Sequence, residues 1–458
     1  MRLESLLGVA LDLVERLAEP GHLPADARMG RMFREKRFLG SHDRRLVGDA
    51  AFAWLRHLPR ARARWTSWAT QLRLEPILKL ASKTERGTFL ADLLAIAADG
   101  LFPVPLADTL GAARSLREPA LPPEALALDW SQLAWPEDKG SRQAAEWSLP
   151  PWLADRLAAE RGEADARALA LALLEPAPLD LRVNLANSTR DDAVRWLETE
   201  TNELAQPTPW SSHGLRLPRR THVRGALAAS EGRLEVEDEG SQAVGLALGV
   251  VPGMTIIDAC AGAGGKTLAL ADRLSLPVDQ ATAQRIGPGR IFACDTAPER
   301  MKELQRRAAN AGVESRIRIV PLEPEGPLPR SLERADLVLV DAPCSGLGTL
   351  RRNPELKLRY SPDDVSCFAA LQRRILERFL PLVRPGGRLA YSTCSILAEE
   401  NEEVARSLGS AHPELVEWVS PWARSTLPAE CFRENFISLD PVRSGTDGFF
   451  LAVWTLRP

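Results

Sequence analysis

The sequence predicts an α/β domain with a doubly wound, parallel sheet, preceded by an all-α region and a small α+β region. Three observations support this. Helical periodicity runs almost unbroken through the first 140 residues, helix and strand patterns then mix, and short buried strands alternate with helices after Val236. Such alternation is typical of parallel sheets with helices on both faces. The predicted boundaries are 1–140, 141–235 and 236–458.

The composition excludes several classes of protein. With 458 residues, 45% apolar and 26% charged, the chain is globular and long enough for two or three domains. Its first residues alternate apolar and acidic side chains, unlike a signal peptide, and no apolar run reaches membrane-spanning length. The cysteines include no Cys-x-x-Cys pair, which argues against disulfides and zinc. We therefore expect a cytoplasmic protein with no membrane partner and no metal.

The first region begins with an amphipathic helix, Met1–Leu17, followed by Ala/Leu/Arg-rich helical segments that Pro and Gly interrupt. Between Arg28 and Arg64 there are eleven Lys and Arg residues against three acids, although the whole chain has a net charge of −3. This stretch is either a solvated helix face or a patch that contacts the phosphates of a nucleic acid.

Residues 103–150 are rich in Pro and Trp, which predicts a connector. After it, the pattern predicts a helix over Trp152–Leu174 and a strand over Leu179–Asn184. Together these elements indicate the small α+β region.

The α/β domain has the clearest pattern. Residues 275–289 form a longer loop than the crossover between two strands needs, and no role is assigned to it. The predicted elements are strand Thr255–Asp258, helix Lys266–Leu274, strand Arg290–Asp295, helix Pro298–Ala311, and strands Arg316–Leu322, Ala335–Val340 and Gly387–Tyr391.

A glycine-rich turn, Asp258–Thr267, joins the first of these strands to its helix. A Walker A loop needs a glycine where Cys260 stands, and a dinucleotide fingerprint needs one where Thr267 stands, so both are excluded. Asp295, at the end of the second strand, is placed to bind a ribose diol. A cofactor with one ribose, one carboxylate and no pyrophosphate fits, which indicates S-adenosylmethionine; a purely structural tight turn is the alternative.

Two cysteines follow neighbouring strands of the predicted sheet. Cys344 lies in Asp341–Gly346 (sequence Asp-Ala-Pro-Cys-Ser-Gly), and Cys394 follows Ser392 and Thr393. Strand ends are where open α/β sheets place their chemistry, and a thiol can add to an electron-poor carbon. The presence of two thiols indicates that one attacks the carbon and the other assists its later release. The alternative is a pair of buried structural cysteines.

Taken together, these motifs resemble the Sun/Fmu family of RNA cytosine-C5 methyltransferases, with the greatest likeness to its bacterial 16S rRNA methyltransferase B subfamily. The likeness extends over essentially the whole chain, and the order of Pro-Cys before Thr-Cys is its most specific part. The motifs are Asp238–Gln242, Cys260–Lys266, Asp295, Asp341–Gly346, Arg351–Pro354, Thr393–Ser395, Glu400–Glu402 and Asp447–Phe450. The amino-terminal region, with Phe38–Arg45, resembles a NusB-like RNA-binding domain.

The resemblance implies a Rossmann-like S-adenosylmethionine-dependent methyltransferase domain behind an all-α NusB-like domain and a small α+β linker. It implies that Cys394 is the nucleophile, that Cys344 assists release and that Asp341 contacts both the base and the cofactor. The implied partner is RNA, in particular 16S rRNA, and a monomer is expected. The residues implied to contact the cofactor are Cys260, Ala261, Gly262, Ala263, Gly264, Gly265, Lys266, Asp295, Glu323 and Asp341.

Three other functions remain as alternatives. A DNA cytosine-C5 methyltransferase uses the cysteine of Pro-Cys as nucleophile and lacks the Thr-Cys partner. An amino-group methyltransferase would show Asp/Asn-Pro-Pro-Tyr/Phe where this chain has Asp341–Cys344. The third alternative is an RNA-binding ribosome-assembly scaffold with an inactive methyltransferase fold.

Overall fold

The computed structural model describes residues 1–19, 23–74, 85–116, 120–217, 227, 230–279, 281–282 and 286–458. The chain forms two compact units. The first comprises Met1–Glu175 and Leu350–Ser361, and the second comprises Pro176–Thr349 and Pro362–Pro458. Part of the predicted 275–289 loop lies outside the described residues.

Every described regular element of the first unit is a helix. The apolar faces of Leu3–Ala18, Ser41–Gln71 and Glu85–Ala98 pack together and form most of its core. Its helices are Leu3–Ala18, Ala25–Glu35, Ser41–Gln71, Glu85–Ala98, Leu106–Arg114, Pro123–Leu126, Lys139–Trp147, Pro151–Arg161, Glu163–Leu174 and Leu356–Arg359, with a 3₁₀ turn at Trp130–Gln132. Its likeness to NusB stays a prediction.

A buried carboxylate lies at the centre of this core. Asp92 Oδ2 accepts hydrogen bonds from Trp54 Nε1 and Arg62 Nη2 at 3.1 and 2.6 Å, and Oδ1 accepts one from Trp65 Nε1 at 2.9 Å. Burial raises the pKa of Asp92, while Arg62 opposes that rise. Arg62, which belongs to the predicted cationic stretch, thus binds a buried carboxylate within this unit.

The short segment Leu350–Ser361 belongs to the helical unit although it is far from it in sequence. Lys357, 2% exposed, donates hydrogen bonds to the backbone oxygens of Arg56 and Ser148 at 2.5 and 2.8 Å. Glu355 Oε1 accepts one from the Ala25 N–H at 3.1 Å. Burial, and then the charge of Arg56, lowers the pKa of Lys357 to about 7.

The structure differs from the predicted elements between residues 103 and 174. The predicted connector contains four helices or helical turns, and the predicted helix Trp152–Leu174 is two helices that meet at Gly162, whose φ is 82°. Glycine is the residue that adopts this conformation most easily, so it ends one helix and precedes the next. These helices belong to the first unit. The predicted three-part division stays a prediction.

The second unit begins with a small antiparallel sheet of four strands in the order β2-β3-β1-β4. The helix Arg190–Thr201 packs on it, with Ala193 and Leu197 in a shared apolar core. The strands are β1 (Leu179–Val183), β2 (Gln206–Pro207), β3 (Gly214–Leu217) and β4 (Leu234–Val236).

A nine-stranded sheet forms the rest of this unit. Its parallel part has the order β7-β6-β5-β8-β9, which confirms the predicted doubly wound sheet. Antiparallel strands, which the sequence did not predict, extend it beyond β9. The strands are β5 (Thr255–Asp258), β6 (Arg290–Asp295), β7 (Ile317–Pro321), β8 (Ala335–Asp341), β9 (Val383–Thr393), β10 (Leu415–Glu417), β11 (Phe432–Arg433), β12 (Phe436–Leu439) and β13 (Phe449–Leu456).

Both faces of the sheet are covered, because alternate strand residues enter two separate cores. Ile256 and Leu337 lie in one core, and Ile257 and Val338 lie in the other. The helices of this unit are Arg190–Thr201, Glu239–Ala247, Gly265–Leu274, Pro298–Asn310, Pro362–Phe379, Glu402–Ala411 and Pro421–Thr426, with 3₁₀ turns at Glu314–Arg316, Leu347–Thr349, Leu380–Leu382, Ala398–Glu400 and Ala429–Cys431.

The strand order reverses between β5 and β8, because β6 and β7 follow on one side and β8 and β9 on the other. Ligands of open α/β sheets bind at the carboxyl ends of the strands beside such a reversal. Within the described residues, the structure contains no helix with both the length and the apolar character needed to cross a bilayer.

Candidate active site

The glycine-rich turn lies at this reversal, between β5 and the helix Gly265–Leu274. Gly262 and Gly264 have φ angles of 54° and 91°, in the left-handed region. A Cβ on Gly264 would collide with the Leu304 side chain, whereas a Cβ on Gly265 would have no atom within 4 Å. The backbone at the helix start is therefore open to a ligand, and its free N–H groups favour an acidic one.

Asp258, which ends β5, supports this turn and was missed among the predicted site residues. Its Oδ2 accepts a hydrogen bond from Thr267 Oγ1 at 2.6 Å, and Oδ1 accepts one from the Cys260 N–H at 3.3 Å. Burial raises the pKa of Asp258 to about 7, against the opposing effect of Thr267. An acid between a buried strand and a glycine turn is the sequence signal that identifies such a residue.

Asp295, predicted to bind a ribose, lies at the end of β6 beside the turn. Its Oδ2 accepts a hydrogen bond from the Gly262 N–H and its Oδ1 accepts one from the Ala297 N–H, both at 2.7 Å. Its backbone oxygen accepts one from the Leu322 N–H at 2.9 Å, which places the next residue, Glu323, beside the end of β6. The Glu323 side chain is exposed.

Lys266 is buried rather than at the surface, with 8% of its side chain exposed. Its Nζ donates a hydrogen bond of 2.9 Å to Asp341 Oδ2 and lies 5.4 Å from the centre of the Phe449 ring. Burial acts to lower the pKa of Lys266, but the Asp341 carboxylate opposes this, and the net result is a pKa above its usual value. Lys266 therefore joins the glycine-rich turn to the end of β8 and places a cation near Cys394.

The structure brings the two predicted cysteines together. β8 and β9 are parallel neighbours with Asp341 opposite Ser392, so the loops that follow them start side by side. The Sγ atoms of Cys344 and Cys394 lie 3.4 Å apart, within hydrogen-bond distance for sulfur. The hydrogen bond with Cys394, then burial, raises the pKa of the Cys344 thiol well above its usual value. Cys344 is therefore a neutral thiol beside Cys394.

Three other thiols of this unit, those of Cys260, Cys294 and Cys431, lie in surroundings that raise their pKa. Burial raises the pKa of Cys294 to about 12 and that of Cys431 to about 11. Burial also raises the pKa of Cys260, in the glycine-rich turn, well above its usual value. Thiols of this kind stay protonated and unreactive. Among the described residues there is no group of three or more His, Cys, Asp or Glu that could hold a metal ion.

A second set of buried polar residues lies directly behind the cysteines, and no role was predicted for them. The carboxylate of Glu400 accepts hydrogen bonds from Ser345 and Ser395, the residues that follow the two cysteines. The sequence signal was present, because Glu400 is part of a recognised motif. Its partners are 55 and 5 residues away, so the motif alone did not reveal its contacts.

Comparisons with known proteins agree with this geometry. Residues 245–455 match the family model "16S rRNA methyltransferase RsmB/F", and residues 149–224 match a ferredoxin-like domain model of RsmF/B-like methyltransferases. A Bacillus subtilis protein named "Probable ribosomal RNA small subunit methyltransferase B" is 30% identical over 322 residues, which are 69% of this chain and 68% of the relative. The chain belongs to the RsmB/F methyltransferase family. A Synechocystis protein of the same name is 32% identical over 67% of this chain and 66% of its own length.

Solved structures show the same fold as this RsmB/F family member. The crystal structure of PH0851 covers 98% of both chains with a TM-score of 0.75 and 22% identity. A methyltransferase homolog protein from Pyrococcus horikoshii covers 69% of this chain and 97% of its own, with a TM-score of 0.54 and 25% identity. The predicted family and the Rossmann-like methyltransferase fold are confirmed.

Family membership confirms S-adenosylmethionine as the cofactor of this RsmB/F member. Two features of the structure fit that molecule. The start of the helix Gly265–Leu274 has open space at Gly265, where a carboxylate can meet free N–H groups. Asp295 has two backbone hydrogen bonds, and a carboxylate has about four acceptor positions, so it can also accept bonds from two ribose hydroxyls.

Proposed function

We propose that this protein transfers a methyl group to C5 of a cytosine in RNA, through a covalent bond between Cys394 Sγ and C6 of the base. The observation that supports this most directly is the pair of thiols 3.4 Å apart at the carboxyl ends of β8 and β9. Lys266 and Asp341 connect that pair to the glycine-rich turn. A nucleophile, an assisting thiol and a cofactor turn are therefore adjacent.

We assign the cofactor contacts to the turn Cys260–Lys266, to Asp295 and to Asp341. The free N–H groups at Gly265 would receive the carboxylate of the cofactor, and Asp295 its ribose. Glu323 remains part of this proposal, since its backbone follows the end of β7 directly beside Asp295. When bound, S-adenosylmethionine supplies the electrophilic methyl group.

Cys394 begins the reaction. Carbon C5 of cytosine is a poor nucleophile, and addition of a thiolate to C6 makes it enamine-like, so that it can take up a methyl group. Lys266 stays a cation beside Cys394, because the Asp341 carboxylate raises its pKa, and this places a positive charge near the sulfur that attacks. Asp341, whose side chain is 29% exposed, keeps Oδ1 to accept a hydrogen bond from the N4 amino group, next to N3 of the base, while Oδ2 accepts from Lys266.

Cys344 acts at the end of the reaction. After methylation, the proton on C5 leaves to a base and the electrons of the C5–H bond form the C5–C6 double bond. The C6–S bond breaks, and its electrons return to Cys394 Sγ. Cys344, held as a neutral thiol 3.4 Å away, donates a hydrogen bond to the departing sulfur.

The proposed substrate is ribosomal RNA. The names of the relatives specify the RNA of the small ribosomal subunit. In the helical unit, Arg31, Arg34, Arg37 and Arg45 of the cationic stretch are exposed, in contrast to those that bind Asp92 and Asp99. Exposed arginines of this kind bind phosphates. A monomer and a cytoplasmic location remain predictions.

The decisive experiment separates the two cysteines. Cys394→Ala should have no methylation activity and should form no covalent RNA complex. Cys344→Ala should form the C6 adduct but release it slowly, so a protein–RNA species should survive denaturing electrophoresis with the summed mass. Cys367→Ala is the matched control, because Cys367 is exposed and outside the site. Trapping by Cys394→Ala instead would move the nucleophile to Cys344, and no adduct with any variant would refute covalent catalysis.

The RNA-binding stretch has its own test. Changing Arg31, Arg34 and Arg37 together to Gln should weaken RNA binding and flatten its salt dependence. The slope of log K against log salt should fall by about 0.7–0.9 for each phosphate that the variant no longer neutralises. Unchanged RNA affinity at fixed salt would make this stretch a solvated helix face. S-adenosylmethionine affinity should stay constant and serves as the control.

A further inference from the structure

Glu400 is a fully buried acid that the proposed reaction has not used. It ends the 3₁₀ turn Ala398–Glu400 that follows β9, and 0% of it is exposed. Its Oε2 accepts hydrogen bonds from Ser345 Oγ and Ser395 Oγ at 2.5 and 2.6 Å. Its Oε1 accepts bonds from the Ser345 N–H at 2.8 Å and from Gln372 Nε2 at 3.2 Å. Four donors thus satisfy a carboxylate that burial would otherwise destabilise.

These contacts join the two loops that carry the cysteines. Ser345 and Ser395 each follow a cysteine directly, and consecutive Cα atoms are about 3.8 Å apart. One carboxylate oxygen therefore holds the two loops at a single point, one residue beyond each thiol. The serine hydroxyls also lie 3.3 Å from each other.

Neighbouring hydrogen bonds stiffen the same arrangement. Gln372 Nε2 also donates to the Pro343 backbone oxygen at 3.0 Å, immediately before Cys344. Gln372 Oε1 accepts from the Tyr391 hydroxyl of β9 at 2.9 Å. Asn401, next to Glu400, donates to the Ser395 backbone oxygen at 3.0 Å. A fully satisfied buried network of this kind rigidifies the groups it connects.

We propose that Glu400 is a positioning residue for methyl transfer, which sets the separation of the two thiols by holding Ser345 and Ser395. This inference rests on the proposed function, since it assumes that Cys394 attacks and Cys344 assists. Both sulfurs must serve one base, and a displacement of about 1 Å in an active site can reduce a rate about 100-fold.

The charge of Glu400 has a second effect on the same pair. After the hydrogen bond with Cys394 and after burial, it contributes to the raised pKa of Cys344. The negative charge of Glu400 therefore helps to keep the Cys344 thiol neutral. Lys266, which belongs to the glycine-rich turn, is near enough to Cys394 to interact with it electrostatically.

Three variants test the proposal. Glu400→Asp keeps the charge but is one methylene shorter, so it cannot reach both serines. Glu400→Gln keeps the length, and its amide can donate to the two hydroxyls, whose oxygens can accept. Glu403→Gln is the matched control, because Glu403 undergoes the same chemical change on an exposed part of the next helix. The measurements are single-turnover methylation, adduct formation and S-adenosylmethionine affinity.

We expect Glu400→Asp to slow single-turnover methylation about 100-fold with unchanged cofactor affinity, and Glu400→Gln to retain most of the rate. In Glu400→Gln the Cys344 thiol should be alkylated by iodoacetamide at a lower pH than in the wild type. Unchanged S-adenosylmethionine affinity and unchanged hydrogen exchange in this variant exclude loosened packing, which would also expose the thiol. Equal rates for Glu400→Asp and the wild type would overturn the proposal, as would an equal loss in both Glu400 variants.

If Glu400→Asp does not fold, the variants Ser345→Ala and Ser395→Ala test the proposal instead. Each removes one hydroxyl from the carboxylate, and their effects on methylation should not be additive if both act through Glu400. Additive effects would overturn the proposal. Absence of a Cys394–RNA adduct in Cys344→Ala with Glu400 intact would instead overturn the proposed function itself, so the two failures are distinguishable.

Discussion

Arg182 provides the sharpest test of how the second unit is held together. It lies in β1, and its Nε donates a hydrogen bond of 2.6 Å to Glu237, while its Nη1 pairs with Asp272. The side chains of Arg182, Glu237 and Asp272 are 2%, 7% and 5% exposed. Asp272 belongs to the helix that starts at the glycine-rich turn, so Arg182 joins the small sheet to the cofactor helix.

Arg182→Met should remove the cation and leave two buried carboxylates without compensation. Breaking a buried pair in this way typically destabilises a protein by about 3–5 kcal/mol. Because 1.36 kcal/mol corresponds to a factor of ten, amides that exchange through opening of this unit should exchange about 100 to several thousand times faster. Hydrogen exchange read by mass spectrometry on peptides covering β1 and residues 265–274 measures this locally.

Two further variants make the result interpretable. Arg195→Met removes an exposed arginine paired with Asp192 and should change stability by no more than about 0.5 kcal/mol. Adding Asp272→Asn to Arg182→Met should recover stability, since it removes one of the two buried carboxylate charges that Arg182 no longer neutralises. A loss below about 1 kcal/mol for Arg182→Met, or no recovery in the double variant, would refute this reasoning.

Three other outcomes are expected. Asp295→Ala should weaken S-adenosylmethionine binding by about 1.5–3 kcal/mol in calorimetry, and unchanged affinity would exclude Asp295 from the site. Gly264→Ala should destabilise the second unit by about 1–3 kcal/mol in urea unfolding, because its φ is 91° and a Cβ would meet Leu304; Gly265→Ala, with open space, should be nearly neutral. Burial, then Arg182, lowers the pKa of His213 to about 3, so below pH 6.5 the unfolded chain binds more protons and stability should fall from there towards pH 3. Comparing unfolding free energies of wild type and His213→Gln across this range should isolate that slope, and parallel curves would contradict it.

The sequence was most informative where structure depends on neighbouring residues. The strands β5, β6 and β8 and the glycine-rich turn were predicted nearly to their ends, because buried strands and left-handed glycines leave local patterns. The meeting of Cys344 and Cys394 followed from topology, since parallel neighbours end at the same edge of a sheet.

The contacts that the sequence did not predict join residues that are far apart in the chain. Lys266 and Asp341 are 75 residues apart, and Glu400 and Ser345 are 55 apart, so no local pattern reveals either contact. The antiparallel strands beyond β9 are also set by their partners. The helix predicted over Trp152–Leu174 is interrupted at Gly162. The positive φ of this glycine ends the first helix although the apolar pattern of the sequence continues.

The segment Leu350–Ser361 has a consequence for how the protein is made. Synthesis proceeds from the amino terminus, and domains commonly fold as they leave the ribosome. Here the first 175 residues emerge early. The carbonyl oxygens of Arg56 and Ser148, however, can accept hydrogen bonds from Lys357 only after residue 357 has emerged. The helical unit must therefore persist unfinished while most of the second unit is translated, and its completion is coupled to the arrival of the chain just beyond Cys344.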